Sequence, residues 1–138
     1  MSEPLVLTID FGTQSVRAML FDKHGKDYGK EKVHFKEPYF SKEIGWAEQK
    51  PEFYWDRLKE ATNGLKAKCP ELWDDIRAVS VTTIRDTAVI VDKDGKPLRD
   101  IILWLDQREV KDADKTRFGS GFKSLLRLIN MYDMAATQ

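Results

Sequence analysis

One segment restricts the fold of this 138-residue chain more than any other: Leu5-Val-Leu-Thr-Ile-Asp-Phe-Gly-Thr-Gln-Ser-Val-Arg-Ala-Met-Leu-Phe-Asp22. An apolar strand runs into Asp10, and a tight turn with Gly12 carries Thr13, Gln14 and Ser15. A second apolar strand, Val16 to Phe21, leaves that turn. Both strands are apolar on both faces, which predicts a sheet covered on both sides. Two readings of the turn stand side by side. Asp-x-Gly between strands is an ordinary hairpin connection. It is also what a metal-bound polyphosphate requires. In that reading Asp10 orients Mg²⁺ through water, and Gly12 lets backbone come close to phosphate. Successive N–H groups form an anion-binding concavity, and Arg17 adds a neutralising charge.

The pattern downstream is α/β. Residues 28–36 alternate in part, Val33 and Phe35 against Lys32, His34 and Lys36, and predict a half-exposed third strand. Asp22 to Gly25 and Asp92 to Gly95 are near-identical turns, in which Asp bonds its own turn backbone and Gly takes positive φ. A single echo of this kind is shared turn chemistry and no repeat. Residues 37–50 form a loop long enough to be functional or mobile, and its Tyr39, Phe40 and Trp46 predict that it packs down. Pro51 opens a helix with an apolar stripe at Tyr54, Leu58, Ala61 and Leu65, ending near Lys68 ahead of Pro70.

Ile76 to Ile84 reads as a buried β-branched strand, interrupted by Arg85-Asp86-Thr87. Ala88–Val91 and Leu98–Leu103 predict a hairpin around the second Asp-Gly turn. Asp106 with Glu109 resembles a capping box opening a polar helix to about Thr116. Phe118 to Gly121 breaks it, and Phe122, Leu125, Ile129 and Tyr132 line one stripe of a last helix.

Composition sets the exclusions. Lys plus Arg and Asp plus Glu balance at 23 each, with no long basic block, so neither nucleic acid nor an anionic membrane is an expected partner. The Lys-rich stretch from Lys23 to Lys36, interleaved with Asp27 and Glu31, reads as a solvated hairpin face. The one cysteine, Cys69, rules out an internal disulfide and fits a reducing compartment, hence a cytoplasmic expectation. At a helix end before Pro70 it reads as a semi-buried spacer. His24 and His34 lack ligand spacing for zinc. The N-terminus has no charged-then-apolar signal pattern, and no apolar run reaches the length of a membrane span.

Three segments together resemble the N-terminal part of the FGGY carbohydrate kinases, a group within the actin, Hsp70 and sugar-kinase superfamily. Ile9-Asp-Phe-Gly-Thr-Gln-Ser-Val-Arg17 is similar to the family's first phosphate motif. Gly45-Trp-Ala-Glu-Gln-Lys-Pro-Glu-Phe-Tyr-Trp55 is similar to its Gly-Trp-x-Glu-x-x-Pro-x-x-x-Trp segment, and Ile102-Leu-Trp-Leu-Asp-Gln-Arg108 to its Ile-Leu-Trp-x-Asp-x-Arg segment. They occur in the family's order and spacing over residues 5 to about 110. The resemblance implies a ribonuclease-H-like (actin-like ATPase) domain: a mixed sheet with its first three strands antiparallel, and flanking helices. It implies transfer of the ATP γ-phosphoryl group to a hydroxyl of a small polyol or sugar with Mg²⁺, chemistry that is mostly positioning and charge stabilisation.

Residue by residue, the resemblance makes Asp10 the Mg²⁺-organising carboxylate, through water. Gly12, Thr13, Gln14 and Ser15 become the phosphate-facing turn, and Arg17 a phosphate or nucleotide contact. Gln14 stands where the glycerol-kinase-like form often has a hydroxyl residue. Arg85 and Asp86 occupy the family's place for substrate hydroxyls, where glycerol-kinase-like members have Arg-Glu and xylulokinase-like members Met-His. The other reading of that pair is a surface ion pair. Trp104 walls the substrate pocket or belongs to the core. Asp106 contacts substrate or caps its helix, and Arg108 orients Asp106 or touches ligand.

The family's general-base Asp, second phosphate motif and adenosine segment match nothing in residues 1–138. The whole chain is therefore expected to be an incomplete N-terminal domain with no catalytic base of its own, inactive alone and prone to associate with itself or the remainder through uncovered apolar faces. A non-catalytic binding or regulatory module on the same fold is the competing expectation. An actin- or Hsp70-like ATPase is a weaker one, opposed by Trp104 to Arg108 and by Arg85-Asp86.

Overall fold

The computed structural model describes residues 3–109. Strands β1 (Leu5–Phe11), β2 (Ser15–Asp22) and β3 (Asp27–His34) form an antiparallel meander. Helix α1 (Pro51–Lys68) carries the chain back, a 3₁₀ turn (Pro70–Asp75) follows, and β5 (Ile76–Thr82) lies parallel beside β1. The sheet order is β3-β2-β1-β5, a mixed sheet with its first three strands antiparallel, as expected. Two short strands, β4 (Glu48–Gln49) and β6 (Ile101–Ile102), pair separately. The polar helix to about Thr116, the break at Phe118 to Gly121 and the last helix lie outside the described residues.

The turn after β2 follows its composition. Asp22 Oδ1 accepts from the N–H groups of His24 (2.8 Å) and Lys26 (3.0 Å), Tyr28 donates to Oδ2 at 3.3 Å, and Gly25 takes φ 80°. Burial acts to raise the Asp22 carboxyl, but those donors outweigh it and hold it below the usual carboxylate range. Asp92 repeats the arrangement with Asp94 and Lys96.

The core lies between α1 and one face of the sheet. Leu7, Ile9, Val16, Ala18, Leu20, Val33 and Phe35 meet Ala61, Leu65 and Cys69 there. The helix stripe is the predicted one, with Ala61 and Leu65 fully buried and Tyr54 and Leu58 partly so. Cys69 is buried, and the absence of a side chain at Gly29 admits it: a Cβ at Gly29 would stand 2.6 Å from the sulfur. Two burial expectations are corrected. In β1 and β2 only alternate residues are buried, because α1 covers a single face, and Val6, Thr8, Met19 and Phe21 on the other are half-buried. β5 ends at Thr82 rather than Ile84 and is exposed from Arg77 onward, with Val79 62% and Val81 55% accessible. Its β-branched run suits a covered strand, but α1 packs over β2 and β3 and leaves β5 at the open edge.

The segment 37–50 packs down, though through different residues than its aromatics indicate. Tyr39 stays 42% exposed, while Ala47, Glu48 and Gln49 are buried. β4 takes its partner from Ile101–Ile102, so the predicted 88–91/98–103 hairpin is reduced to isolated bridges at Ala88–Ile102 and Val91–Pro97. A small second core forms from Ala47, Ile101 and Leu103. Lys42 bridges the buried Glu48 carboxylate (2.8 Å) and Asp100 (3.0 Å). Both bonds raise the lysine, and the Lys42 bond lowers Asp100. Among the described residues no helix is long and apolar enough to cross a membrane.

Tyr54 sits edge-on to Phe11, Phe35 and Phe53. Its burial pushes the phenol up to about 12. A raised folded value favours the neutral form, so the stability it contributes is intact below the ordinary tyrosine range near 10 and lost as pH rises through about 12. Tyr54→Phe is expected to match wild type near pH 7 and to be the more stable by about 1 kcal/mol at pH 11–12, after discounting for the exposed part of the ring. Urea titrations of both chains at the two pH values check this; equal alkaline losses would refute it.

Candidate functional site

The polyphosphate-type turn is built by the β1–β2 connection. The Gly12 N–H donates to Ser15 O at 2.9 Å and closes it, and the Phe35 N–H donates to Gln14 O at 2.9 Å, tying the end of β3 to its outer side. Sheet register brings Asp10, at the end of β1, opposite Arg17 in β2 and Thr82 in β5. Thr82 Oγ1 donates to Asp10 Oδ1 at 2.9 Å, and Arg17 Nη1 lies 3.4 Å from Oδ2. The carboxylate is thereby oriented on both oxygens, yet its side chain remains 39% accessible. Thr82 is a site residue that sequence reading missed. It lies 72 positions from Asp10, and only the parallel β1–β5 pairing joins them.

An open cavity of about 670 Å³ adjoins the turn. Gly12, Thr13, Gln14, Ser15 and Arg17 form one side, and Trp104 and Leu105 another. Lys32 and His34 of β3, with Pro38 and Tyr39, complete it; none of these four was proposed as a site residue from sequence. Trp104 is 57% exposed, so the core reading of this residue does not hold. Its indole Nε1–H donates to Thr13 Oγ1 at 3.1 Å and its backbone N–H to Thr87 Oγ1 at 3.1 Å. The indole is thus fixed to the turn itself, across 91 residues of sequence.

The other predicted positions fall outside this lining. Arg85 and Asp86 are exposed beyond β5, and among the described residues neither is in an ion pair, so the surface-pair reading fails. Asp86 has φ 54°, a left-handed conformation that Asp tolerates better than most residues. It immediately precedes Thr87, the residue that holds the Trp104 backbone. Asp106 Oδ2 accepts the Ala47 N–H at 2.6 Å, which ties that carboxylate to the 37–50 segment. The helix it was expected to cap lies beyond the described residues.

Among the described residues no cluster of three or more His, Cys, Asp or Glu is placed to hold a metal. Asp10 is a single, oriented carboxylate. That donor set does not suit a protein-caged ion, but it suits Mg²⁺, which keeps most of its water and takes one or two carboxylates plus phosphate oxygens.

A sequence profile of the FGGY family of carbohydrate kinases, N-terminal domain, matches residues 5–125. Glycerol kinase of Thermococcus kodakarensis is 34% identical over 130 residues, covering 92% of this chain and 26% of the relative. Glycerol kinase of Rhizobium meliloti is 35% identical over 113 residues, covering 81% and 22%. The xylulose kinase of Rhodospirillum rubrum superposes with a TM-score of 0.72 at 26% identity, over 88% of this chain and 25% of that one. The xyloylose kinase of Brucella ovis gives 0.76 at 25% identity, over 87% and 24%. This chain spans about a quarter of the length of each of these proteins. The antiparallel meander with parallel β5, the Asp10 turn and a profile match over most of its residues agree: the chain belongs to the FGGY family of carbohydrate kinases, and its match falls in that family's N-terminal domain.

Proposed function

We propose that this chain is the front part of a kinase that transfers the γ-phosphoryl group of ATP to a hydroxyl of a small polyol or sugar. The observation that carries the reading is the doubly oriented Asp10 beside a turn whose hydroxyl, Thr13, holds the indole of Trp104. Asp10 positions Mg²⁺ through water, and Thr13, Gln14, Ser15 and Arg17 face the phosphates. Gly12 supports this role: a Cβ there would stand 3.5 Å from Ser15 O, an ordinary contact, so the chain itself leaves room for a side chain. The glycine is then explained by a ligand approaching the backbone. Trp104 forms the acceptor wall next to the phosphates, and Arg85 and Asp86 meet acceptor hydroxyls with fixed donors and acceptors. Asp106 contributes by holding the 37–50 segment near that wall.

The base that removes the acceptor proton, the adenosine site and the rest of this domain come from further polypeptide. β5 supports that division. Among the described residues no strand pairs with its outer edge, and its exposed valines offer an apolar surface for one. In this reading the chain associates through that edge with the remainder of the kinase.

The test measures ADP release with ATP, Mg²⁺ and a panel of polyols and ketoses. The 138-residue chain alone is expected to give none. A chimera carrying residues 5–125 in place of the matching segment of the Thermococcus kodakarensis glycerol kinase is expected to turn over, and Asp86→Ala in it to raise the acceptor KM more than that for ATP. Turnover by the short chain would end the incomplete-domain reading. A folded chimera that binds ATP yet phosphorylates nothing would favour the non-catalytic module.

A further inference from the structure

We propose that Lys32 and His34 form an oxyanion subsite on the β3 flank of the turn, widening its phosphate-facing wall by one strand. The inference rests on the polyphosphate reading above and assigns two residues that reading does not use.

In the β2–β3 register Ser15 stands opposite His34 and Arg17 opposite Lys32. Directly opposed residues of antiparallel strands share a face, with Cβ atoms about 4.5–5.5 Å apart. The four side chains therefore make a block: hydroxyl beside imidazole, guanidinium beside ammonium. The phase of β3 is set by Val33, which is buried under α1 and so places its two neighbours on the opposite face. Both neighbours line the cavity that Thr13 and Gln14 line.

Charge adds to this geometry. Some cations elsewhere on the surface are neutralised locally, as Lys42 is by Glu48 and Asp100, and Lys68 by Glu31. Among the described residues neither Lys32 nor His34 pairs with a carboxylate, and the nearest acid in register, Asp10, is engaged by Arg17 and Thr82. Arg17 and Lys32 outweigh Asp10 by one charge, before any contribution from His34. The Lys-rich stretch that reads as a merely solvated face in sequence thus ends in two donors turned toward the cavity. Lys30 supplies the contrast. It is in phase with Lys32 and exposed, but it stands opposite Met19 and does not line the cavity.

The ligand is an anionic oxygen group. The terminal phosphates of a nucleotide carry such groups, and so does the carboxylate of a sugar-acid acceptor. The position beside Ser15 and Arg17 favours the phosphates. Binding requires no bond to be made or broken.

Inorganic tripolyphosphate titrated into the 138-residue chain, followed by backbone amide NMR, tests this. Amides of residues 12–17 and 32–34 are expected to shift together. Lys32→Ala and His34→Ala are each expected to raise Kd about three- to tenfold, the size of one partly exposed charge-assisted contact. The Lys32 effect should shrink as salt screens it. Lys30→Ala is expected to stay within about twofold, since screened charge without contact contributes little. All three positions are exposed, so the fold is not at stake. Equal effects of Lys30→Ala and Lys32→Ala reduce the subsite to net charge and overturn it. Shifts confined to residues 12–17 overturn it while leaving the phosphate turn intact; no shifts at all remove both. A parallel titration with D-gluconate separates the sources. Affinity lost there, and retained for tripolyphosphate, assigns the oxyanion to the acceptor and overturns the phosphate assignment.

Discussion

Leu65→Ala is expected to destabilise the chain by about 2–5 kcal/mol, lowering the urea midpoint with an unchanged slope. Leu65 is completely inaccessible, and one of its methyl carbons would lie 3.4 Å from a Cβ at Gly29. It packs beside the space at Gly29 that Cys69 occupies. Removing three heavy atoms there leaves a void bounded by β-sheet backbone and the buried Cys69, neither of which can move in to fill it. The loss is a large share of the total, because native domains rarely exceed about 5–15 kcal/mol. A chain with β5 exposed along its length has less burial than most to draw on. Leu98→Ala, at a residue 64% exposed, is the control and is expected to change stability by less than about 0.5 kcal/mol. If the two substitutions shifted the midpoint equally, the core assigned to α1 and the meander would be wrong.

Asp10→Asn carries the largest expected functional effect. In the active chimera described above it is expected to lower kcat about 10²–10³-fold, the usual range for removing one preorganised electrostatic contact to the reacting phosphates. Asn keeps the shape and an oxygen for Thr82, so the fold should survive with its melting temperature nearly unchanged. It loses the charge that pairs with Arg17 and that is proposed to hold a hydrated Mg²⁺. The Mg²⁺ concentration for half-maximal rate should rise in parallel. Thr82→Val removes only the hydrogen bond on the other carboxylate oxygen, and its cost should be about tenfold or less, near 1 kcal/mol. A rate for Asp10→Asn within threefold of the parent would remove Asp10 from the metal-organising role.

Much of the fold is legible from local chemistry. The β1–β2 turn, the Asp22 and Asp92 turns and the limits of α1 each follow from residues adjacent in sequence, because capping, positive φ and Asx bonding act over a few positions. Burial was less legible. The run Val79-Ser-Val81 has the composition of a covered strand, yet composition reports only what a strand can bury, and cover depends on which element reaches it. The 37–50 segment shows the same limit from the other side. Its aromatics indicated packing, but Glu48 and Gln49 are the residues taken inside, because β6 and Lys42 supply partners for polar groups there.

The site divides along the same line. The sequence by itself determined the turn, its acid, its glycine and its hydroxyls, since those groups lie within a few residues of one another. It also determined the family, through three motifs at fixed spacing. Only the tertiary structure decided that Thr82 orients Asp10, that Trp104 is an exposed wall bonded to Thr13, that Asp106 holds Ala47, and that Lys32 and His34 turn toward the cavity. Each of these depends on strand register or on contacts between segments tens of residues apart. The pattern of side chains along one strand says which face each residue takes, but not which residue of another strand will stand opposite.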